Sequence, residues 1–306
     1  MIYTVTFNPA IDYVIRTSAV QIGETNRSEK EEIYYGGKGI NVSWVLNELG
    51  VRSVALGFVA GFTGEAIEQG VRNAGLQTDF VHLESGFSRI NVKIKAQEET
   101  EINGRGPHIS DAEIVALTER LNRLEDGDTL VLAGSIPPTL PSDMYERILA
   151  RLEERQIRFV VDATKDALRA TLRFRPFLVK PNKRELEEFF DVILDGAEDI
   201  VQYARKMQHL GARNVLVSLG EEGAILLAEN GEVYSQAAYK GVLCNSVGAG
   251  DSMVAGFLAG MEKGAYETAL RLGTAAGCAT AFAEGLATKI EIEALYGPIS
   301  CKTQGN

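Results

Sequence analysis

The stretch Asn245-Ser246-Val247-Gly248-Ala249-Gly250-Asp251-Ser252 puts a carboxylate directly after two glycines and at the head of a helix pattern formed by Val254, Phe257, Leu258 and Met261. A glycine turn feeding a helix start gathers free N–H groups and the positive end of the helix dipole at one point, which suits an anion. Asp251 can cap that helix, or it can act as a base beside a phosphate held by the backbone of Gly248, Ala249 and Gly250. A second turn of the same kind, Gly36-Gly37-Lys38-Gly39-Ile40-Asn41, opens a helix pattern at positions 42, 45, 46 and 49. Lys38 and its neighbouring amides could hold an anionic or hydroxylated ligand, and Asn41 offers an amide to a sugar hydroxyl. The bland alternative is a packing cluster of glycines beside a solvated lysine. The segment is not a P-loop, because no G-x-x-x-x-G-K-[ST] occurs there.

Three further groups carry possible chemistry. Asn182 and Glu185 have the spacing of a capping box, and also of a polar pair facing hydrated Mg²⁺ and phosphates; the two roles are compatible. Ser218-Leu219-Gly220-Glu221-Glu222-Gly223 either admits a nucleotide or makes a hairpin turn. Arg89-Ile90-Asn91-Val92-Lys93-Ile94-Lys95 alternates polar and apolar, as a half-exposed strand does. Lys93 and Lys95 read as a solvated sheet face, while Arg89, at the strand's start, is the phosphate-ligand candidate because its fork matches an oxyanion.

The elements that must position these residues follow a strand–helix alternation. Ile2 to Phe7 is a strand closed by Asn8-Pro9, with Asp12 expected at its C-terminal end, where open α/β sheets bind ligands. Ser53 to Val59, Thr129 to Ala133, Phe159 to Val161, Phe177 to Val179 and Asn214 to Ser218 read as strands, the last paired with Ala224 to Ala228. Helices are expected over 63–74, from the capping box Ser110-Asp111-Ala112-Glu113, over 142–156 and over 265–283. Ser135 lies in the loop at one strand end, and others stop at Asp162 and Lys180. The alternation predicts an α/β protein whose mostly parallel central sheet is covered by helices on both sides. Residues 13–17 and 32–35 break that rhythm and suggest an excursion from the main sheet.

A net charge of −11 over 306 residues argues against a nucleic-acid partner, since phosphate backbones need a basic face. An anionic small substrate would need a local basic pocket. Cys244, Cys278 and Cys301 lack metal-ligand spacing and read as reduced thiols, which with the absence of a leader or an apolar span points to the cytoplasm and no membrane.

Together, Gly36-Gly37-Lys38-Gly39-x-Asn41, Asn182-x-x-Glu185, Ser218 to Gly223 and Gly248-Ala249-Gly250-Asp251 resemble the paired signatures of the ribokinase-like (PfkB) carbohydrate kinases, in order along nearly the whole chain. Asn8-Pro9-Ala10-x-Asp12, Arg89 to Lys93 and Thr100-Glu101-Ile102-Asn103 are similar to its phosphosugar branch. The resemblance implies one ribokinase-like domain over residues 1–306, a three-layer sandwich with a small β-sheet lid drawn from about 11–35 and 88–105. It implies transfer of the γ-phosphoryl of ATP, with Mg²⁺, to the 6-hydroxyl of fructose 1-phosphate. Tagatose 6-phosphate and fructose 6-phosphate are the alternative acceptors, and a non-catalytic sugar-phosphate sensor is a remote one. Asp251 would be the general base and the amides of 248–251 the anion hole. Asp12, Gly37, Asn41 and Ser135 would bind the sugar, with Lys38 and Arg89 on its phosphate and Asn103 and Arg105 as further candidates. Ser218 to Gly223, with Gly250 and Asp251, would line the nucleotide site; Asn182 and Glu185 would meet the metal through water or phosphate. The lid implies a homodimer. A Rossmann dehydrogenase is excluded by spacing, because Met253 stands where the third small residue is needed.

Overall fold

The structure is a computed structural model that describes residues 1–262 and 264–298. The chain begins with β1 (Ile2–Thr6), then runs out through β2 (Ala10–Arg16) and β3 (Lys30–Gly36) before returning as α1 (Lys38–Glu48). Next come β4 (Ser53–Ala60), α2 (Gly61–Asn73) and β5 (Gln77–Leu83), followed by a second excursion, β6 (Arg89–Lys95) and β7 (Glu99–Asn103). From α3 (Asp111–Leu121) the alternation is regular: β8 (Thr129–Ala133), α4 (Met144–Leu152), β9 (Arg158–Asp162), α5 (Lys165–Thr171), β10 (Leu178–Val179), α6 (Lys183–Phe190), α7 (Gly196–His209) and β11 (Asn214–Ser218). An antiparallel pair, β12 (Ala224–Leu227) and β13 (Val233–Gln236), precedes the closing helices α8 (Ala249–Met261), α9 (Tyr266–Phe282) and α10 (Lys289–Tyr296).

Two sheets result among the described residues. The large one has the order β13-β12-β11-β10-β9-β8-β1-β4-β5, all running the same way except β12, which is antiparallel to both its neighbours. Its central strands are mostly apolar because both faces are covered, and the buried Thr4 of β1 pairs its hydroxyl with that of Ser43 at 2.8 Å. Leu130 and Leu132 of β8 point into a cluster with α3 to α7, while Val131 and Ala133 join the opposite cluster with α1, α8 and α9. Helices α8 and α9 approach closely through glycines and are pinned by the Ser252 and Thr280 hydroxyls, 2.7 Å apart. The capping boxes at α3 and α6 are present: Glu113 Oε2 accepts from the Ser110 amide at 2.6 Å and Glu185 Oε2 from the Asn182 amide at 2.8 Å. Each satisfies donors that a helix start leaves free.

The small sheet has the order β3-β2-β6-β7, with β2 and β6 parallel and the outer pairs antiparallel. It collects the excursions that broke the strand–helix rhythm. Asp12 therefore lies within β2 of this sheet, paired in register with Asn91, and not in the loop that ends β1. The alternation of β6 is as expected but its sense is reversed. Asn91 and Lys93 are buried, whereas Ile33 of β3 and Ile102 of β7 are exposed on the other side. The polar face of the small sheet turns inward, so the reading of Lys93 as solvated fails. An inward polar face is stable only where it encloses other polar groups, and here it closes over the ends of the large sheet.

Candidate active site

The order of the large sheet reverses at β1, which has β8 on one side and β4 on the other. Ligand crevices in open α/β sheets form at the C-terminal strand ends beside such a point. Asn8, Gly134-Ser135, Asp162 and Lys180 all lie at or just beyond these ends. Two helix starts converge on them. Gly37 caps α1 with a φ of 136°, and a Cβ there would fall 2.4 Å from Thr6 Cγ2, so the turn needs glycine both for its angle and for its contact with β1. Gly248, with a φ of 82°, plays the corresponding part at α8.

Asp251 stands in the first turn of α8 and is buried. Its Oδ2 accepts from Asn41 Nδ2 at 2.8 Å, which joins the two glycine turns directly. Burial, and next the charge of Asp162, push its carboxyl up to about 7, against the pull of Lys38, Asn41 and Lys180. A carboxylate with that value is half-ionised near neutrality, where a general base is most effective. The first amides of a helix have no partner four residues back; in α8 that of Ala249 donates to the Ser246 carbonyl at 3.3 Å.

Asp162 is the hub beneath. Lys38 Nζ lies 3.2 Å from its Oδ2 and Lys180 Nζ 3.5 Å from its Oδ1. Burial works against the Asp162 charge, but Lys180 and Lys38 outweigh it and hold the carboxyl below its ordinary value. For Lys38, burial is likewise outweighed, by Asp162 and then Asp251, so its ammonium is held above its ordinary value. Sequence reasoning gives neither Asp162 nor Lys180 a role. The available signal is a charged residue directly after an apolar parallel strand, and nothing in one dimension says that Lys38 meets them there.

The small sheet supplies the roof. Asn91 Nδ2 donates to Asp12 Oδ1 at 2.7 Å, and Lys93 Nζ lies 3.4 Å from Asp12 Oδ2. Arg89 Nε donates to the Asn8 carbonyl at 3.0 Å; burial lowers the guanidinium below its ordinary value, with Asp12 opposing. Beneath the roof, beside Asn41, is a cavity of about 360 Å³ whose walls include Asp12, Asn41, Lys93, Tyr34, Asn245 and Leu286; Asp251, Lys38, Arg89 and Ser135 are not among them. That is the volume of a small polar metabolite. Ser135 is exposed at the end of β8, after Gly134, whose amide donates to the Asp162 carbonyl at 3.0 Å. Asn103 is exposed at the end of β7, in register with Asn91, and the Arg105 carbonyl accepts from Asn8 Nδ2 at 3.0 Å. Arg16 and Lys30 reach from β2 and β3 to Glu284, at 3.4 Å and 3.6 Å, and so tie the roof to the loop after α9.

The turn from Ser218 to Gly223 makes the hairpin between β11 and β12, through a short helical turn over Gly220–Glu222 that includes Glu221. Leu219 N donates to the Gly223 carbonyl at 2.8 Å. Asn182 bridges to Ser218, so this turn borders the start of α6. Asn182 Oδ1 and Glu185 Oε2 each accept one amide at 2.8 Å, which leaves Glu185 Oε1 open, and the Glu185 charge is felt by Lys38. Sparse oxygen donors of this sort fit a hydrated Mg²⁺ held partly through water. Cys244 and Cys278 are free, and Cys301 lies outside the described residues. Among the described residues no helix is long and apolar enough to cross a membrane.

A buried carboxylate at a helix start, lysines near it and a polar roof with a cavity beneath are parts that can serve a phosphoryl transfer. Known proteins similar to this chain are named as kinases. The chain is 47% identical over 296 residues, 96% of its length and 97% of the relative's, to a 1-phosphofructokinase of Bacillus subtilis (strain 168). It is 37% identical over 288 residues, 94% of each chain, to a D-tagatose-1-phosphate kinase of Bacillus licheniformis. The solved phosphofructokinase-2 of Escherichia coli, in complex with substrates and products, superposes with a TM-score of 0.91 at 27% identity, covering 96% of this chain and 98% of that one. The fold is the ribokinase-like one, a sandwich with a separate four-stranded sheet. Residues 5–293 match the family model described as pfkB family carbohydrate kinase, and the chain belongs to that family of kinases.

Proposed function

We propose that this kinase transfers the γ-phosphoryl of ATP to the 6-hydroxyl of fructose 1-phosphate, giving fructose 1,6-bisphosphate. The observation that carries the reading is Asp251, a buried carboxylate pushed up to about 7 and oriented by Asn41 within the first turn of α8. In this reading Asp251 takes the proton of the 6-hydroxyl as that oxygen attacks phosphorus. The amides of Gly248, Ala249, Gly250 and Asp251 stabilise the charge that develops on the transferring group, a term worth several kcal/mol when the donors are preorganised. Lys180, held by Asp162, keeps positive charge beside it. Asp12, Gly37, Asn41 and Ser135 take the sugar hydroxyls, Arg89 and Lys38 the existing phosphate, and Asn103 closes the edge of the roof. Ser218, Leu219, Gly220, Glu221, Glu222 and Gly223 line the nucleotide. Asn182 and Glu185 meet Mg²⁺ through water or phosphate; the ion, when bound, neutralises charge on the nucleotide oxygens. Two roofs pair through their exposed apolar faces, where Ile33 and Ile102 lie, to form a homodimer.

The second reading is D-tagatose 1-phosphate as acceptor, favoured by the Bacillus licheniformis relative. It keeps the phosphate on the same carbon and inverts one hydroxyl, so it asks less of the site than tagatose 6-phosphate or fructose 6-phosphate would. A coupled assay of kcat/KM for all four sugar phosphates decides. Fructose 1-phosphate is expected to be the best acceptor, and its ranking last would overturn the reading of the substrate.

A further inference from the structure

The roof holds a charge that none of the roles above uses. Lys93 is an ammonium with a side chain only 11% exposed, suspended between Asp12 Oδ2 at 3.4 Å and Glu101 Oε1 at 3.6 Å. The three residues lie on three adjacent strands, β2, β6 and β7, all on the inward face. Asp12 is held from both sides: Oδ1 receives the Asn91 amide at 2.7 Å and Oδ2 faces Lys93. Asn91 is itself fixed, because its Oδ1 accepts from the Gly104 amide at 3.2 Å.

We infer that Lys93 is a positioning residue for the sugar acceptor, acting through Asp12: it fixes the direction in which the Asp12 carboxylate presents its free lone pairs to the acceptor's hydroxyls. A carboxylate has about four acceptor directions, and two neighbouring hydroxyls can be read only if the group cannot rotate. With Oδ1 bound to Asn91 and Oδ2 drawn towards Lys93, rotation about the Cβ–Cγ bond would break both contacts. The remaining directions open on the cavity, whose walls include Asp12 and Lys93. Glu101 makes the arrangement adjustable. By sharing the ammonium it keeps Lys93 from closing fully on Asp12, so the carboxylate retains acceptor strength for the sugar. An ammonium suits this task because it is a compact point charge, whereas a guanidinium would tie up its donors as a planar fork.

The inference rests on the reading of Asp12 as an acceptor ligand, and a double-mutant cycle separates the two. Lys93→Met, Asp12→Asn and the pair are assayed with whichever sugar phosphate the unaltered enzyme uses best, so an error about substrate identity does not enter. Lys93→Met is expected to raise KM for the acceptor by about tenfold or more, the scale of losing a charge-assisted contact. The change in kcat should be smaller than that in KM, and KM for ATP should stay put. Lys93→Arg restores the charge but as a planar fork and not a point, and should recover only part of the loss. Asp12→Asn should raise the same KM, and the pair should be no worse than Asp12→Asn alone, because Lys93 then has nothing to orient. Additive losses would mean that Lys93 touches the acceptor itself or only supports the fold, and would overturn the inference. So would an unchanged acceptor KM in folded Lys93→Met. If Asp12→Asn leaves KM alone, the ligand reading falls, and with it the inference. Should Lys93→Met not fold, Lys93→Gln takes its place in the same cycle, with near-ultraviolet circular dichroism confirming the native state.

Discussion

The floor of the site and the seam that ties the roof to the loop after α9 both rest on charged pairs and treat them in opposite ways. In the floor, Asp162, Lys180 and Asp251 are 3%, 6% and 4% exposed and belong to strands and helices covered on both faces. At the seam, Arg16, Lys30 and Glu284 stand 32%, 55% and 54% in water. Charges sealed in a low dielectric act strongly on each other and are little screened by salt, whereas exposed pairs gain little and lose most of it to ions. The floor therefore has its electrostatics fixed before any ligand arrives. The seam's pairs are exchangeable, unlike the buried Lys93–Asp12 contact inside the roof.

The sharpest way to break this contrast is at the floor. Asp251→Ala should leave a folded protein that still binds ATP, with kcat lowered ~10²–10⁴-fold or more; steady-state turnover with a nucleotide-binding titration checks it. Near-normal turnover would mean the base lies elsewhere. A weaker probe uses the acid itself. Since Asp251 must be ionised to accept a proton and its value is pushed up to about 7, kcat/KM should fall about tenfold per pH unit on the acid side of that value. The stability consequence has the opposite sense. The folded value lies above the ordinary 3.8, so the contribution of Asp251 to stability is full below that pH and is lost as pH rises through about 7. Asp251→Asn should accordingly raise Tm at pH 8 while abolishing turnover, which calorimetry and the coupled assay read together. At the roof the expected effect is small. Glu284→Gln removes its pairs with Arg16 and Lys30, and kcat/KM should change by less than about threefold, a difference that 1 M salt erases. A large, salt-resistant loss would mean the seam's charges are locked in place like those of the floor.

The same contrast governs how much can be read in one dimension. Strands β8 and β11 and both capping boxes follow directly from apolar runs and from Ser110, Glu113, Asn182 and Glu185, because burial between two helix layers leaves little choice of residue. Edge elements are less legible. Strand β5, Gln77–Leu83, carries Asp79 and His82 near solvent and lies outside the expected strands, and α5, α7, β13 and α10 are likewise additions made by the structure. Lys93 shows a deeper difficulty. Alternation along β6 divides the residues into two faces, but which face is inside depends on what the other sheet encloses. Where the interior is a ligand cavity, the polar face wins. Asp162 escapes notice for a related reason, since an acid after a strand acquires meaning only when Lys38 and Lys180 arrive from distant parts of the chain.

The glycine contact between α8 and α9 has a consequence for tolerance in the engineering sense. A Cβ on Gly256 would fall 2.6 Å from the Leu272 carbonyl oxygen, and one on Gly260 2.4 Å from the Ala269 Cα. From the other side, a Cβ on Gly277 would come within 3.1 Å of the carbonyl oxygen of Ala249, in the turn that carries Asp251. At Gly256 and Gly260 backbone rests on backbone, with little to take up slack, while the Met253 side chain stands beside Gly277. Helix α9 is thus the stop against which α8 is seated, and the stop sets where the base comes to rest. Misplacing a reacting group by about 1 Å can cost ~10²-fold in rate. A single methyl added behind the site would transmit its displacement along a rigid rod, so the dimensional accuracy of the chemistry is machined into residues that no ligand ever reaches.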